Sequence, residues 1–244
     1  MRGLDGRRIL VTGAAGGIGA AICRRLAAEG ASVIATDLEE AGVRALAGEI
    51  GAEARALDIT DASASAALAA ELEPLDALVN NAGWDRVMPF LETTPDFWEK
   101  ALRINLFGHI AMCHAFGTVM AQRGQGRIVN VASDAGKVGS SGETTYAAAK
   151  GGVIAFTKSL AREMARHGVT VNCVCPGPTD TPLLTSAYTD ERGLRILEGM
   201  KRAVPLRRFA TPDEIAGMVV FLTSDDAAYM TGQAISVDGG LVMS

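Results

Sequence analysis

The chain has 244 residues and a net charge of −5, and 48% of its residues are apolar. That length suits one doubly wound α/β unit with a large core. The acidic balance argues against a nucleic-acid protein, which usually carries a basic domain, and no uninterrupted apolar run approaches the ~20 residues of a membrane span.

The opening residues, Met1 to Gly6, lack the apolar core of a signal peptide, so the expected compartment is the cytoplasm. A first strand is expected over Arg8–Thr12 and a helix over Gly17–Glu29. A second strand, Ser32–Asp37, leads to a helix ending near Ile50. Ala54–Leu57 reads as a short third strand, Asp61–Glu71 as an Ala-rich helix and Leu75–Asn80 as the fourth strand. Thr94 and Pro95 read as the N-cap and first position of a helix reaching Met120 or beyond. Gly126–Ala132 is the fifth strand, Thr145–His167 a long helix and Val169–Cys175 the sixth strand. An irregular stretch is expected from Pro176 to about Ala210, and a loop of that length in a compact domain usually serves as a lid. Thr211-Pro212-Asp213-Glu214 has the pattern of a capping box, opening a helix to Thr223. Ile235–Val237 is the last strand.

Continuous apolar strands alternating with helices predict a single-domain, doubly wound parallel sheet of seven strands with helices on both faces. No linker, repeat or charge block marks a second domain.

Thr12 to Gly19 reads Thr-Gly-Ala-Ala-Gly-Gly-Ile-Gly, between a strand and a helix. Small residues there (Gly13, Gly16, Gly17, Ile18, Gly19) let backbone approach a pyrophosphate, and the helix N-terminus favours its charge. Asp37 ends the second strand, followed by Leu38, where a carboxylate accepts hydrogen bonds from an adenosine ribose and repels a 2′-phosphate. The expected cofactor is therefore NAD. Asp58 and Ile59 end the third strand near the adenine position, and Asn81-Ala82-Gly83 follow the fourth. The competing reading of Asp37 is a cap for the next helix, and the two roles are compatible.

Tyr146 and Lys150 are four residues apart at the start of a predicted helix, so both face the same way. Ser133 ends the fifth strand, at the same sheet edge. A free phenol is a poor base at neutral pH. A cation ~4 Å away contributes roughly 4 kcal/mol at an effective dielectric of 20, enough to lower the phenol by about three units. Such a tyrosine is suited to general acid/base work. The four cysteines, Cys23, Cys113, Cys173 and Cys175, read as buried thiols, and His109, His114 and His167 lack metal-ligand spacing.

Over essentially its whole length the chain resembles the short-chain dehydrogenase/reductases, on the Thr12–Gly19 loop, Asn80 to Gly83, Asn105, Ser133, Tyr146, Lys150, Pro176-Gly177, Thr179 and Thr181. The resemblance implies hydride transfer between a nicotinamide and a secondary alcohol. It implies Tyr146 as acid/base, Ser133 holding the substrate oxygen, Lys150 on the nicotinamide ribose and Asn105 anchoring a proton-relaying water. Thr179 and Thr181, beside Pro176 and Gly177, would hold the carboxamide. Homo-oligomers, usually tetramers, are implied as well, packed through the helices at Thr94–Met120 and Thr145–His167.

The runs Asn81-Ala82-Gly83-Trp84-Asp85, Ala132 to Ala135, Gly139 to Glu143 and Cys175 to Thr181 resemble a subgroup that oxidises β-hydroxyacyl-CoA thioesters. That subgroup includes the 2-hydroxycyclohexanecarboxyl-CoA and 2-(hydroxybenzyl)succinyl-CoA dehydrogenases. Trp84, Leu183, Leu184 and Tyr188 are candidates for an apolar wall around the acyl group, or for packing, and Asp134 for substrate contact or loop orientation. Between Asp190 and Arg208, six cations (Arg192, Arg195, Lys201, Arg202, Arg207, Arg208) stand against Asp190, Glu191 and Glu198, which reads as an ordinary solvated helix face or as a patch that attracts coenzyme A phosphates. The alternative activities are reduction of 3-oxoacyl chains on acyl carrier protein, general secondary-alcohol oxidation, and a non-catalytic NAD-binding subunit. A related partner subunit is compatible with any of them.

Overall fold

The structure, a computed structural model, describes residues 1–72, 74–185, 188 and 191–243. Seven parallel strands form one sheet in the order β3-β2-β1-β4-β5-β6-β7. They are β1 Arg8–Thr12, β2 Ser32–Asp37, β3 Glu53–Ala56, β4 Ala77–Asn80, β5 Gly126–Val131, β6 Val169–Pro176 and β7 Ala234–Val237. The expected strands are all present, with ends shifted by up to two residues.

Side-chain alternation along the strands divides the core. Ile9 and Val11 of β1 face α1 (Gly17–Ala28), α2 (Glu40–Ile50) and α10 (Pro212–Thr223), packing with Ile22, Leu26, Val43, Ile215 and Val219. Leu10, between them, faces the other layer. There α3 (Ala62–Glu71), α5 (Gly108–Arg123) and α7 (Thr144–Met164) contribute Leu68, Met112, Phe116, Met120 and Ala161. Strands buried on both faces explain why β1 and β4 read as unbroken apolar runs.

The helix starts follow local chemistry. Asp61 accepts hydrogen bonds from the N–H groups of Ser63 and Ala64 at the start of α3. Thr94 accepts from Phe97 N–H to open α4 (Pro95–Leu102), with Pro95 in its first turn. The Thr211–Glu214 capping box forms with both of its bonds.

Two expectations need correction. The helix beginning at Pro95 is not uniform: a π turn, Arg103–Phe107, separates α4 from α5 and contains buried Asn105. A π turn inserts an extra residue into the helix and re-aims side chains, often beside a functional site. The combined stretch Pro95–Arg123 meets the length and composition of a membrane-crossing helix once scattered polar residues are averaged, and half of its most apolar window lies inside the fold.

The stretch from Pro176 to Ala210 is not irregular throughout. It holds α8 (Pro182–Thr185) and the 13-residue α9 (Glu191–Ala203). Gly193, Leu197, Met200 and Val204 supply the less exposed face, at spacings of four, three and four. Two glycines and many charges obscure that period in the sequence. A further short helix, α6 (Ala135–Val138), follows Ser133.

Candidate active site

In an open parallel sheet the ligand crevice lies at the carboxyl ends of the strands, where the strand order reverses. Here the reversal is between β1 and β4. The loops after these strands meet in one cleft of about 1310 Å³ that also reaches Asp37, Asp58, Ser133, Tyr146, Thr181, Leu183 and Tyr188.

The glycine loop is built for close approach. Gly13 has φ +66, and a Cβ there would stand 2.6 Å from the Ala82 Cα. A Cβ on Gly19 would stand 2.0 Å from the Gly13 carbonyl oxygen. The loop is pinned from β4: Asn81 donates through Nδ2 to the carbonyls of Thr12 and Gly13, each at 3.1 Å, and the N–H groups of Asn81 and Ala82 donate to Thr12 Oγ1 at 3.0 and 3.1 Å. Gly16 caps α1 with no side-chain hydrogen bond, so the first-turn N–H groups at Gly17 and Ile18 face the cleft without a protein cap. A dinucleotide phosphate fits this cradle. The Thr181 methyl closes over it, 3.0 Å from where a Gly17 Cβ would be.

Asp37 accepts from Ala15 N–H at 2.9 Å and Glu39 N–H at 3.1 Å. Its carboxylate is thus fixed beside the glycine loop, and the helix cap itself falls to Glu39. Leu38 beside it is exposed. Asp58 accepts from both the N–H and Oγ1 of Thr60, each at 2.8 Å, while Ile59 is buried against Gly108. Both line the cleft.

On the other side, Tyr146 hydrogen-bonds with Ser133. Ser133 Oγ also accepts from Ala135 N–H at 3.1 Å, fixing it at the start of α6. Lys150 is buried, donates to the Val131 carbonyl at 2.8 Å, and lies 5.7 Å from the centre of the Tyr146 ring. Burial lowers the Lys150 pKa to about 8. The ammonium is therefore present at neutral pH and is lost as pH rises through that value.

The expected acidification of the phenol by Lys150 alone is not what the geometry gives. Tyr146 is pushed up, first by burial, then by the carboxyls of Asp85 and Glu143, with the Ser133 hydrogen bond working the other way. The simple Coulomb argument counted one cation and omitted desolvation and the two acids. Neither acid had a role in the sequence reading. They appeared only as the last residues of the runs Asn81–Asp85 and Gly139–Glu143, and nothing in those runs shows that the two meet, because they come from distant segments.

Asn105 is fully buried on the π turn. Its Nδ2 donates to the carbonyls of Trp84 at 2.6 Å and Ala101 at 3.0 Å, and its Oδ1 accepts from Trp84 N–H at 3.0 Å. The side chain clamps the Trp84 backbone to the π turn. Gly83 fits beneath, where a Cβ would stand 3.0 Å from Asn105 Oδ1 and 3.6 Å from Lys150 Nζ. Buried His109 contacts the Ala82 carbonyl at 2.9 Å through Nε2, while Nδ1 has no partner. Burial, then Lys150, lowers its pKa to about 3, so the ring is neutral and Nε2 carries the donated proton.

Trp84 packs on Phe97, ring centres 5.4 Å apart, with Lys100 4.2 Å above its indole. Tyr188 is buried and Leu183 half-exposed, and both line the cleft. Asp134 turns to Ser236, which donates at 2.9 Å, and to Asp238. Pro176 and Gly177 border the cleft, and Thr179 Oγ1 donates to the Gly177 carbonyl at 2.9 Å. In the cationic patch, Asp190 and the Arg192 side chain lie outside the described residues. Lys201 pairs with Glu198 at 2.9 Å, Arg208 with Glu214 at 2.6 Å, and Arg195 with Glu191 at 3.9 Å. The cysteines are free and buried, and the described residues hold no metal-binding cluster.

Residues 13–242 match the family model described as enoyl-(acyl carrier protein) reductase. D-threitol dehydrogenase of Mycolicibacterium smegmatis is 42% identical, over 97% of this chain and 93% of that protein. The 3-oxoacyl-[acyl-carrier-protein] reductase of Escherichia coli is 40% identical over 98% of each. A solved structure described as an NAD(P)-dependent gluconate 5-dehydrogenase from Beutenbergia cavernae, with bound NADP, is 37% identical. It superposes with a TM-score of 0.92, covering 99% of this chain and 98% of that one. A full-length family match, a shared architecture and a cleft fitted to a dinucleotide converge: the chain belongs to the short-chain dehydrogenase/reductase family, enzymes acting on CH–OH groups with a nicotinamide cofactor.

Proposed function

We propose that this enzyme is an NAD-dependent dehydrogenase that oxidises a secondary alcohol to the ketone, with a β-hydroxyacyl-CoA of cyclic or aromatic origin as substrate. The observation carrying the chemistry is the Ser133–Tyr146 hydrogen bond in a cleft continuous with the glycine loop. Ser133 holds the carbinol oxygen and Tyr146 takes its proton. Lys150, fixed by Val131, binds the nicotinamide ribose and keeps positive charge beneath the reacting oxygen. Thr179 and Thr181, with Pro176 and Gly177, hold the carboxamide end. When bound, the nicotinamide supplies the hydride acceptor and a further positive charge that offsets the burial of the phenol. Residues 176–210 act as the lid over the acyl group.

Asp37 supports NAD. Its carboxylate is fixed beside the glycine loop at the end of β2, a position from which it would repel an adenosine 2′-phosphate, and no Lys or Arg lies in the glycine loop. The substrate rests on the subgroup-like runs around Trp84-Asp85 and Gly142-Glu143. Two exposed cations at the rim support it further: Lys100 of α4 and Arg103, which opens the π turn, suit phosphates lying outside the cleft. Reduction of 3-oxoacyl chains on acyl carrier protein is the second reading, favoured by relatives that carry that name. Four reduced, buried cysteines fit the cytoplasm. Exposed Trp98, Leu102, Phe107 and Ile110 on the α4–α5 stretch suit a homotetramer interface.

The test is NADH formation with a panel of β-hydroxyacyl-CoA esters, the matching acyl carrier protein thioesters, and free polyols. Turnover is expected with the CoA esters and with NAD at least tenfold above NADP. Exclusive turnover of polyols, or a preference for NADP, would overturn the reading.

A further inference from the structure

Asp85 lies between β4 and α4, and Glu143 immediately precedes α7. A short tie brings these segments together. Met88 N–H donates to the Gly142 carbonyl at 2.8 Å, and a Cβ on Gly142 would stand 2.9 Å from Val87 Cγ1. Gly142 also has φ +84, so the turn strongly favours glycine. The tie brings the two carboxyl groups within hydrogen-bonding reach of each other. Both line the cleft with Tyr146, and both line a small recess beside its ring.

A hydrogen bond between two carboxyls requires a proton and leaves one negative charge on the pair. The groups facing it are few. Tyr146 and Lys150 stand on α7, Tyr188 precedes α9, and the Arg86 N–H approaches from the same loop. From α4 and the π turn after it, Asp96, Glu99, Lys100 and Arg103 line the exposed rim, with Lys100 over Trp84 and Arg103 bonded to Glu99 at 3.2 Å. Lys150 is engaged by the Val131 carbonyl. Burial raises the Asp85 pKa, followed by its contact with Glu143, as expected for acids held away from water. The pair therefore adds a negative charge beside Tyr146 in the inner cleft that Lys150, tied to Val131, shares, while on the rim two acids balance two cations.

We propose that Asp85 and Glu143 select substrates by charge, admitting carbinols whose neighbouring group is uncharged and rejecting those whose neighbouring group is a carboxylate. This rests on the secondary-alcohol reading above and deepens it. A β-hydroxyacyl thioester is neutral where the free β-hydroxy acid is an anion. A carboxylate one methylene from the carbinol carbon cannot leave the neighbourhood of Tyr146 while the carbinol is bound there. Like charges roughly 6 Å apart at an effective dielectric of 20 disfavour binding by about a hundredfold.

The test uses a matched pair too small to touch the rim: 3-hydroxybutyrate and its N-acetylcysteamine thioester. The kcat/KM for each is measured with NAD for the wild type, Asp85→Asn, Glu143→Gln and the double variant. The wild type is expected to favour the thioester by about a hundredfold, and the double variant to narrow the ratio at least tenfold, mainly through KM for the anion. NADH fluorescence titration verifies that each variant is folded. A wild-type arm stands apart from folding: acetoacetate should bind the enzyme–NADH complex far more weakly than methyl acetoacetate. Equal use of acid and thioester by the wild type, or an unchanged ratio in the folded double variant, overturns the proposal. If only polyols react, threitol and threonate replace the pair, so the thioester reading falls while charge selection is still judged. If no alcohol of either charge reacts, both fall.

Discussion

The two ends of the cleft recognise their ligands by different physics. At the cofactor end the walls are main chain and hydrogen: Gly13, Gly16, Gly17 and Gly19, pinned by Asn81 and Thr12, with carboxylates fixed at Asp37 and Asp58. At the substrate end the walls are ionisable side chains withdrawn from water: Asp85, Glu143, Tyr146 and Lys150. At Gly13 and Gly19 the first end tolerates no added volume. The second would tolerate a change of shape better than a change of charge. Binding a dinucleotide common to many enzymes needs only a fitted backbone, whereas choosing and deprotonating one alcohol needs tuned charge.

Substitutions matched to each end sharpen this contrast. Tyr146→Phe keeps the ring and removes the proton carrier, so turnover should fall by about a thousandfold or more while NADH still binds with near-unchanged affinity. Stopped-flow and fluorescence titration read the two separately, and retained turnover would remove Tyr146 from the reaction. Gly19→Ala makes the opposite cut. Its Cβ would meet the Gly13 carbonyl oxygen at 2.0 Å, so NAD affinity should fall at least ~tenfold and stability by roughly 1–3 kcal/mol. A variant with normal NADH binding and normal melting would show that this loop has slack the geometry denies. Asp37→Ser tests the carboxylate fixed beside the glycine loop. Removing it should reduce the NAD-to-NADP ratio of kcat/KM by roughly ten- to a hundredfold, chiefly through KM for NADP. An unchanged ratio would mean the carboxylate only anchors Ala15 and Glu39.

The same division explains what the sequence made legible. Strand patterning, the glycine loop, the Thr211 capping box and the Ser133–Tyr146–Lys150 set are local or periodic signals, and the fold places them as expected. Helix α9 was hidden because Gly193 and Gly199 weaken its propensity and its buried face is only four residues wide. The π turn at Asn105 leaves no compositional mark, since it arises from packing on the Trp84 backbone. The acidic pair was invisible for a different reason: Asp85 and Glu143 meet only through the Met88–Gly142 tie between distant segments. Consequently the cation's effect on the phenol could be anticipated, whereas the burial and carboxyl charge that oppose it could not.

The smallest effect probes whether charge at the substrate end costs stability. Asp134 follows Ser133 and is only 4% exposed, with one carboxyl oxygen accepting from Ser236 and the carboxyl facing Asp238. Burial, then the neighbouring Asp238, raises its pKa from 3.8 to about 7. The folded protein therefore keeps a proton that the unfolded chain releases near pH 4. Stability should decline as pH rises through the window between these values and level off above about 7. Asp238 shifts the other way: burial raises its pKa, but the Asp134 hydrogen bond and the N–H groups of Val242, Gly240 and Leu241 outweigh it. Its influence is confined to more acid solution. Asp134→Asn keeps a hydrogen-bonding side chain beside Asp238 without the ionisation. At pH 7–8 the variant should gain on the order of 1 kcal/mol, about 2–4 °C in Tm, and its melting temperature should vary less between pH 5 and 7. Parallel pH profiles for the two proteins would show that this carboxyl ionises without penalty, and that the catalytic loop and the C-terminal turn are joined by packing rather than by a shared proton.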